Sequence, residues 1–510
     1  MNTPWAIVLC QFKDDLSPFP SPLHLYQRLF TATDGSFNVV RYFHDMSYGR
    51  LDLSGSRIFG PVVVGANHSD YTPSGAPGWV QTVGRGALVK DIRDAAASAG
   101  VRLGDFFGLV AIFNVAIGIP FGGVDGSPFA VADDRWVRNN GSPPFAHEMG
   151  HGYGLSHSRF GAVDEPAGEK FDYQDPWDML SYARVYFSAD PDYVQRGPGL
   201  NAWNMRSRGW LDESRVWKGG GTFDELVRLR PHLRPDLQGF LAADLPPYPA
   251  AGPARYLVEL RVQDGWDGGI PQSVVLVHRF SQNQSYLMGS SMGHPALTVG
   301  DAIDLDDGAG GAALARVEVV AINDADRTAL LRLSAPPVAT LKIAVTAPHP
   351  VSCMSPAPVE GVPAHFVVAD PINAPGIPLQ YIWTIDGGPA TTTDTPAFEA
   401  VMPSPAAPVT ITVRVVVDVA TVATGSYSFT PLTAKQVRWA EFLCQLRQFA
   451  TTSETFREAA GGVGEHSPIF VDPLWDPTRE VGAALEPAAI GHLLDEGNSL
   501  LAAVRNLGAP

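Results

Sequence analysis

Cysteine is scarce: Cys10, Cys353 and Cys444 stand far apart in 510 residues. That excludes a disulfide framework and a cysteine-built metal cluster. Basic residues are outnumbered, 36 Lys and Arg against 53 Asp and Glu, for a formal net charge of −17. No broad basic footprint is left to meet phosphates, so no nucleic-acid partner is expected. No apolar run approaches the roughly 20 residues that span a bilayer, so no transmembrane segment is expected either. The opening "MNTPWAIVLCQFKDD" lacks a basic n-region and a small-residue cleavage site. It reads as a strand over Trp5–Phe12 and not as a signal peptide, which leaves the cellular location open. Internal repeats and low-complexity tracts are also missing.

What is present is a globular composition, 45% hydrophobic and 17% charged, with 51 Gly and 44 Pro marking many turns. The chain is too long for a single core. In residues 1–215, "WAIVLCQF", "SFNVVRYFHDMSYG" and "RLDLSGSRIFGPVVV" read as strands around a helix near Leu23–Thr31. Apolar positions at helical spacing in 79–99 predict a long helix. "FFGLVAIFNV" (106–115) and "PFAVADD" (128–134) predict further strands. These elements make an α/β domain. Residues 216–337 carry short β segments for a small all-β domain, and "YIWTIDGG" with "VTITVRVVVDV" suggests an Ig- or PKD-like sandwich over 338–432, its tryptophan anchoring the core. Apolar faces in 434–449 and 485–506 predict a helical region at 433–510.

The chemistry concentrates in "PPFAHEMGHGYGLSHSRF" (143–160). His147 and His151, four apart, stack on one face of a helix. Ser142, Pro143 and Pro144 suit its start, and Gly152 and Gly154 its end, Gly154 taking the left-handed turn that brings His157 round. Three neutral imidazoles without thiolates suit Zn2+, and three protein ligands leave a fourth position open, as in catalytic sites. Glu148 sits beside the ligands as the proton-transfer group.

The string His147-Glu148-x-x-His151-x-x-Gly154-x-x-His157 is the pattern HExxHxxGxxH, and the chain resembles the metzincin zinc peptidases. The likeness covers roughly 1–210 and is most specific at 147–157. "YQDPWDMLSYA" (173–183) resembles the Met-turn segment of gametolysin-like and immune-inhibitor-A-like secreted metzincins. Matching the flanks puts Leu180 at the methionine position; matching the methionine chooses Met179 and shifts the flanks by one. "FHDMSYGRLDLSG" (43–55) resembles a strand-turn of the same families, although His44 is not expected to be a ligand because the tripod is already complete.

The resemblance implies a metzincin catalytic domain with a mixed sheet and an active-site helix, followed by all-β domains and the C-terminal helical segment. It implies a secreted metalloendopeptidase acting on a protein or glycoprotein, with zinc on His147, His151 and His157 and Glu148 as general base and acid. Tyr182 would be a phenol near the zinc, ordinary packing being its alternative. An extended substrate would add to an exposed edge strand, for which Ser127–Asp133 is the candidate, an ordinary loop strand being its alternative. The acids Asp164, Glu165, Glu169, Asp172, Asp175 and Asp178, and "DAIDLDD" (301–307), offer hard ligands for calcium against a default of solvated carboxylates. Two rival functions remain open: a zinc hydrolase of a non-protein amide, and a non-catalytic adhesin with a vestigial site, against which the intact Glu148 counts.

Overall fold

"WAIVLCQ" is apolar at every position, and the structure, a computed structural model, buries all of it as strand β1 (Trp5–Gln11) inside a sheet. The structure describes residues 1–33, 36–71, 82–123, 127–161, 172–191, 194–245, 255–281, 284–289, 295–306, 314–335, 341–346, 357–402, 408–434 and 436–437. Strands predominate in a multi-sheet, mixed α/β chain that divides into two compact units, Met1–Val338 and Ala339–Pro510. Nearly all of the expected helical region at 433–510 lies outside the described residues, as does the segment 336–340 around the expected boundary.

The first unit begins with β1, helices α1 (Leu23–Phe30) and α2 (Val39–Met46), strand β2 (Arg57–Val63) and helix α3 (Thr82–Ser98). Strands β3 (Gly108–Phe113), β4 (Phe121–Gly122) and β5 (Phe129–Asp133) follow, then helices α4 (Asp134–Asn140) and α5 (Pro143–Gly152). The sheet order is β2-β1-β3-β5-β4, parallel except for the antiparallel pair β4–β5. The two-residue period of a strand sorts β1 between two cores. Trp5, Ile7 and Leu9 face α1, α2 and α5, whereas Ala6, Val8 and Cys10 face α3.

Two expectations fail here. "SFNVVRYFHDMSYG", read as a strand for its Val, Tyr and Phe, is helical over α2. Val39, Tyr42, Phe43 and Met46 recur at i, i+3, i+4 and i+7 and are all buried, and the Asn38 side chain accepts the Arg41 N–H at 2.9 Å. The segment Ser127–Asp133 is not the sheet edge, because β4 pairs with it outside at Ala130 and Val131. The edge is β4.

Residues 216–337 form two sheets that enclose a common apolar core. One sheet runs Phe223–Leu229, Thr328–Ala335, Ala315–Asn323, Ala302–Leu305. The other has six strands and begins with β6 (Arg159–Phe160), which pairs in parallel with Gln284–Leu287; Val274–Ser281, Arg255–Arg261, Ala242–Leu245 and Val216–Lys218 complete it. Its far face contributes Ala242 and Leu257 to the core that holds α5. The regions expected as separate domains, 1–215 and 216–337, thus share a strand and a core within one unit.

In the second unit, a three-stranded sheet (Ile343–Val345, Pro363–Val368, Ala397–Val401) and a four-stranded sheet (Thr391–Thr393, Gln380–Ile385, Val409–Val417, Ala420–Phe429) form a sandwich. Trp383 is fully buried between them and stacks on Phe398 at 5.4 Å. Among the described residues of the chain, no helix is long and apolar enough to cross a membrane.

Candidate metal centre

Helix α5 is buried along its whole length. Pro143 and Pro144 occupy its first turn, where a missing N–H costs nothing. Ser142 holds the cap position without capping; its hydroxyl donates instead to the Phe37 carbonyl at 3.1 Å. At the other end the Gly154 N–H donates to the His151 carbonyl at 2.8 Å and the Leu155 N–H to the Gly150 carbonyl at 3.1 Å. Gly154 itself has φ +84°, which favours glycine, and a Cβ there would meet Arg208 Nη1 at 2.5 Å. This turn returns the chain so that His157 faces the helix.

One nitrogen from each of His147, His151 and His157 lies within 4.8 Å of the others. The outer nitrogen of every ring is held. His147 Nδ1 faces the Met179 carbonyl at 3.0 Å, His151 Nδ1 the Leu155 carbonyl at 2.8 Å, and His157 Nδ1 the Asp172 carboxylate at 3.2 Å. A carbonyl only accepts, so His147 and His151 carry their protons on Nδ1. Their bare Nε2 atoms then face each other at 3.2 Å. Two lone pairs at that distance repel unless a cation lies between them. A proton is a poor candidate: burial, and then the neighbouring imidazoles, hold His147 well below the ordinary histidine range, and burial followed by His157 lowers His151 to about 4. Tetrahedral zinc with Zn–N bonds of about 2.05 Å needs nitrogens about 3.3 Å apart. The 3.2 Å pair matches that spacing, and the three nitrogens together could hold a metal ion.

Glu148 is also buried, and its carboxylate meets the sheet edge. The Gly122 N–H of β4 donates to it, and a Cβ on Gly122 would lie 2.9 Å from Oε2 and 2.5 Å from the Glu148 carbonyl. Burial raises Glu148 to about 8, opposed by the Arg85 charge and the Gly122 hydrogen bond.

The turn beneath the helix is a 3-10 segment, Met179–Arg184, begun by Asp178, whose side chain accepts the Leu180 N–H at 2.6 Å. Met179 supplies the carbonyl that orients His147, and Leu180 packs its methyl groups 3.7 Å from the Cβ position of Gly150 on α5. Both are fully buried. The Tyr182 ring lies 6.1 Å from that of His147 and packs against Trp136 and Phe187. A different phenol enters the site: the Tyr173 hydroxyl is 2.8 Å from His157 Nε2. His44 is exposed on α2 beside Asp45 and takes no part.

The acids expected to be solvated are largely built in. Asp172 binds His157 and Arg159 (2.6 Å), and the fully buried Asp175 accepts from His278 Nε2 at 2.9 Å. Asp178 is equally buried and accepts the Asn201 N–H at 2.5 Å. Asp164, Glu165 and Glu169 lie outside the described residues. In the second run, Asp301 accepts from Thr298 and Asp304 pairs with Arg316. Among the described residues, the histidine triad is the one group of three or more such side chains arranged to hold a metal.

Sequence reasoning missed Asp172 and Tyr173 as partners of His157, and Gly122 as the neighbour of Glu148. No local pattern marks them, since each meets the site through a loop or across the sheet. Neither a scan against protein-family models nor a search of curated proteins finds a match to this chain.

Proposed function

We propose that this chain is a zinc-dependent endopeptidase of the metzincin type that hydrolyses peptide bonds of a protein or glycoprotein. The observation that carries the reading is the pair of bare Nε2 atoms of His147 and His151, 3.2 Å apart in a buried pocket that disfavours protonation. His157 completes the donor set, and Met179, Leu155 and Asp172 fix the three rings, as outer partners do in metal sites. Bound zinc would supply Lewis acidity that polarises a carbonyl and acidifies water.

The remaining work belongs to the chain. Glu148, as the carboxylate, takes the proton of the attacking water and returns it to the departing amine nitrogen. Its bond from Gly122 N–H holds that carboxylate against the sheet edge. The outer strand β4 offers backbone groups to an extended substrate. Tyr173 places a phenol at the ligand face of His157 and is better situated than Tyr182 to donate to a developing oxyanion. Leu180, packed beneath α5, fits the floor position of the turn, with Met179 serving through its backbone.

Elemental analysis of the purified full chain, paired with casein hydrolysis before and after chelation, tests this. One zinc per chain is expected, with hydrolysis lost on chelation and restored by zinc. Metal-free protein that takes up no zinc would overturn the proposal.

A further inference from the structure

Beside Glu148 stands a cation that the mechanism does not use. Arg85, on the first turn of α3, lays its guanidinium carbon 4.7 Å from the ring centroid of Phe121 on β4. Its Nε is buried and, among the described residues, has no hydrogen-bond partner. Several other arginines of this unit meet carboxylates: Arg135 meets Asp133 at 2.9 Å, Arg138 meets Asp134 at 2.6 Å, Arg159 meets Asp172 at 2.6 Å and Arg261 meets Asp267 at 2.5 Å. Among the described residues, Arg85 forms no such close ion pair, its charge reaching the Glu148 carboxylate only at longer range. A buried guanidinium Nε without an acceptor is costly, and in a chain with a net charge of −17 it is also conspicuous.

Its position gives the vacancy a use. Phe121 carries the guanidinium, and the next residue, Gly122, touches the Glu148 carboxylate. Both belong to β4, the outer strand of the sheet. A peptide adding to that edge across the metal centre runs past Arg85 within a residue or two of the bond being cut. A guanidinium forks two parallel N–H donors onto a carboxylate, the strongest match available to it.

We infer that Arg85 is a specificity residue, receiving an aspartate or glutamate side chain of the substrate close to the scissile bond. This rests on the peptidase reading and goes beyond it by naming the substrate class: acidic peptides.

The test uses the zinc-loaded full chain and a matched peptide series with Glu, Gln or Lys at each position flanking the cleaved bond. At one position the wild type should favour Glu over Gln by about 10- to 100-fold in kcat/KM, the range for a charge-assisted hydrogen bond. In Arg85→Gln that ratio should fall to about one, and in Arg85→Glu the preference should turn to Lys. A ratio between peptides is unaffected by partial loss of folded protein. In a second arm, fluorescence anisotropy compares binding of the Glu and Gln peptides to Glu148→Gln protein, with and without Arg85→Gln. Cleavage of the Glu and Gln peptides at equal rates overturns the inference and leaves the peptidase reading intact. If the wild type cleaves nothing, the peptidase reading fails, and the binding arm still decides: equal binding of both peptides overturns the role of Arg85. A Glu preference that survives in Arg85→Gln overturns it too.

Discussion

Replacing Asp172 by Asn should loosen the metal centre from outside. Asp172 Oδ2 faces His157 Nδ1 at 3.2 Å while Oδ1 lies 2.6 Å from Arg159 Nε, and both carboxylate partners are more than half buried. The amide keeps the shape but has one accepting oxygen, so either His157 or Arg159 loses its acceptor. Losing the outer partner of a metal-binding imidazole lowers affinity about 10- to 100-fold, or about 1.4–2.7 kcal/mol. Leaving Arg159 buried without its charge partner adds a second cost, to the fold: about 3–5 kcal/mol for a fully buried pair. The two effects are separable. Competition with a chromophoric chelator reads zinc affinity in the folded protein, and urea denaturation of metal-free protein reads the fold. The predicted result is weakened zinc affinity together with a lowered urea midpoint. Zinc affinity within about twofold of wild type would refute the assignment of Asp172 as the partner that orients His157. Calcium that stabilises the wild type but not the variant would show that the carboxylate serves calcium.

The other predictions concern the phenols and the buried charges behind the site. Tyr173→Phe should lower kcat by about 100-fold with zinc content unchanged, the usual cost of losing one oxyanion donor, while Tyr182→Phe stays within about threefold; steady-state kinetics with zinc analysis of both variants checks this, and the reverse order would return the role to Tyr182. His278 is fully buried, and although burial alone would lower it, Glu259, Asp175 and Asp178 raise it above the ordinary histidine value. Its contribution to stability is therefore complete below the unfolded value of about 6.5 and is lost as pH rises through the higher folded value. Urea midpoints from about pH 6 to about pH 9 should fall more steeply for the wild type than for His278→Gln, and parallel curves would contradict the charged assignment.

The histidine cluster was legible in the sequence because its geometry is local: four residues on a helix and one glycine turn bring His147, His151 and His157 together. The same locality explains why α2 was misread. Its Val, Tyr and Phe residues suggest a strand by type, and only the i, i+3, i+4, i+7 spacing of Val39, Tyr42, Phe43 and Met46 identifies the helix. What lay beyond reach was pairing across long stretches of chain. Strand β6 joins Gln284–Leu287, and His278 reaches Asp175, so the β region beyond 216 is tied into the turn under the histidine triad. A short strand such as β4 carries too little pattern to announce that it, and not β5, forms the edge. The two candidates for the turn position also separate only in three dimensions, Leu180 by its side chain against α5 and Met179 by its carbonyl on His147.

In the proposed zinc-dependent peptide hydrolysis, Glu148 is the group that moves the proton. The most direct measurement is the turnover of a peptide substrate by wild type and Glu148→Gln at equal zinc content. A loss of about 10²- to 10⁴-fold in kcat is expected, the contribution of a general base, with metal still bound. Equal turnover by the two proteins would contradict it.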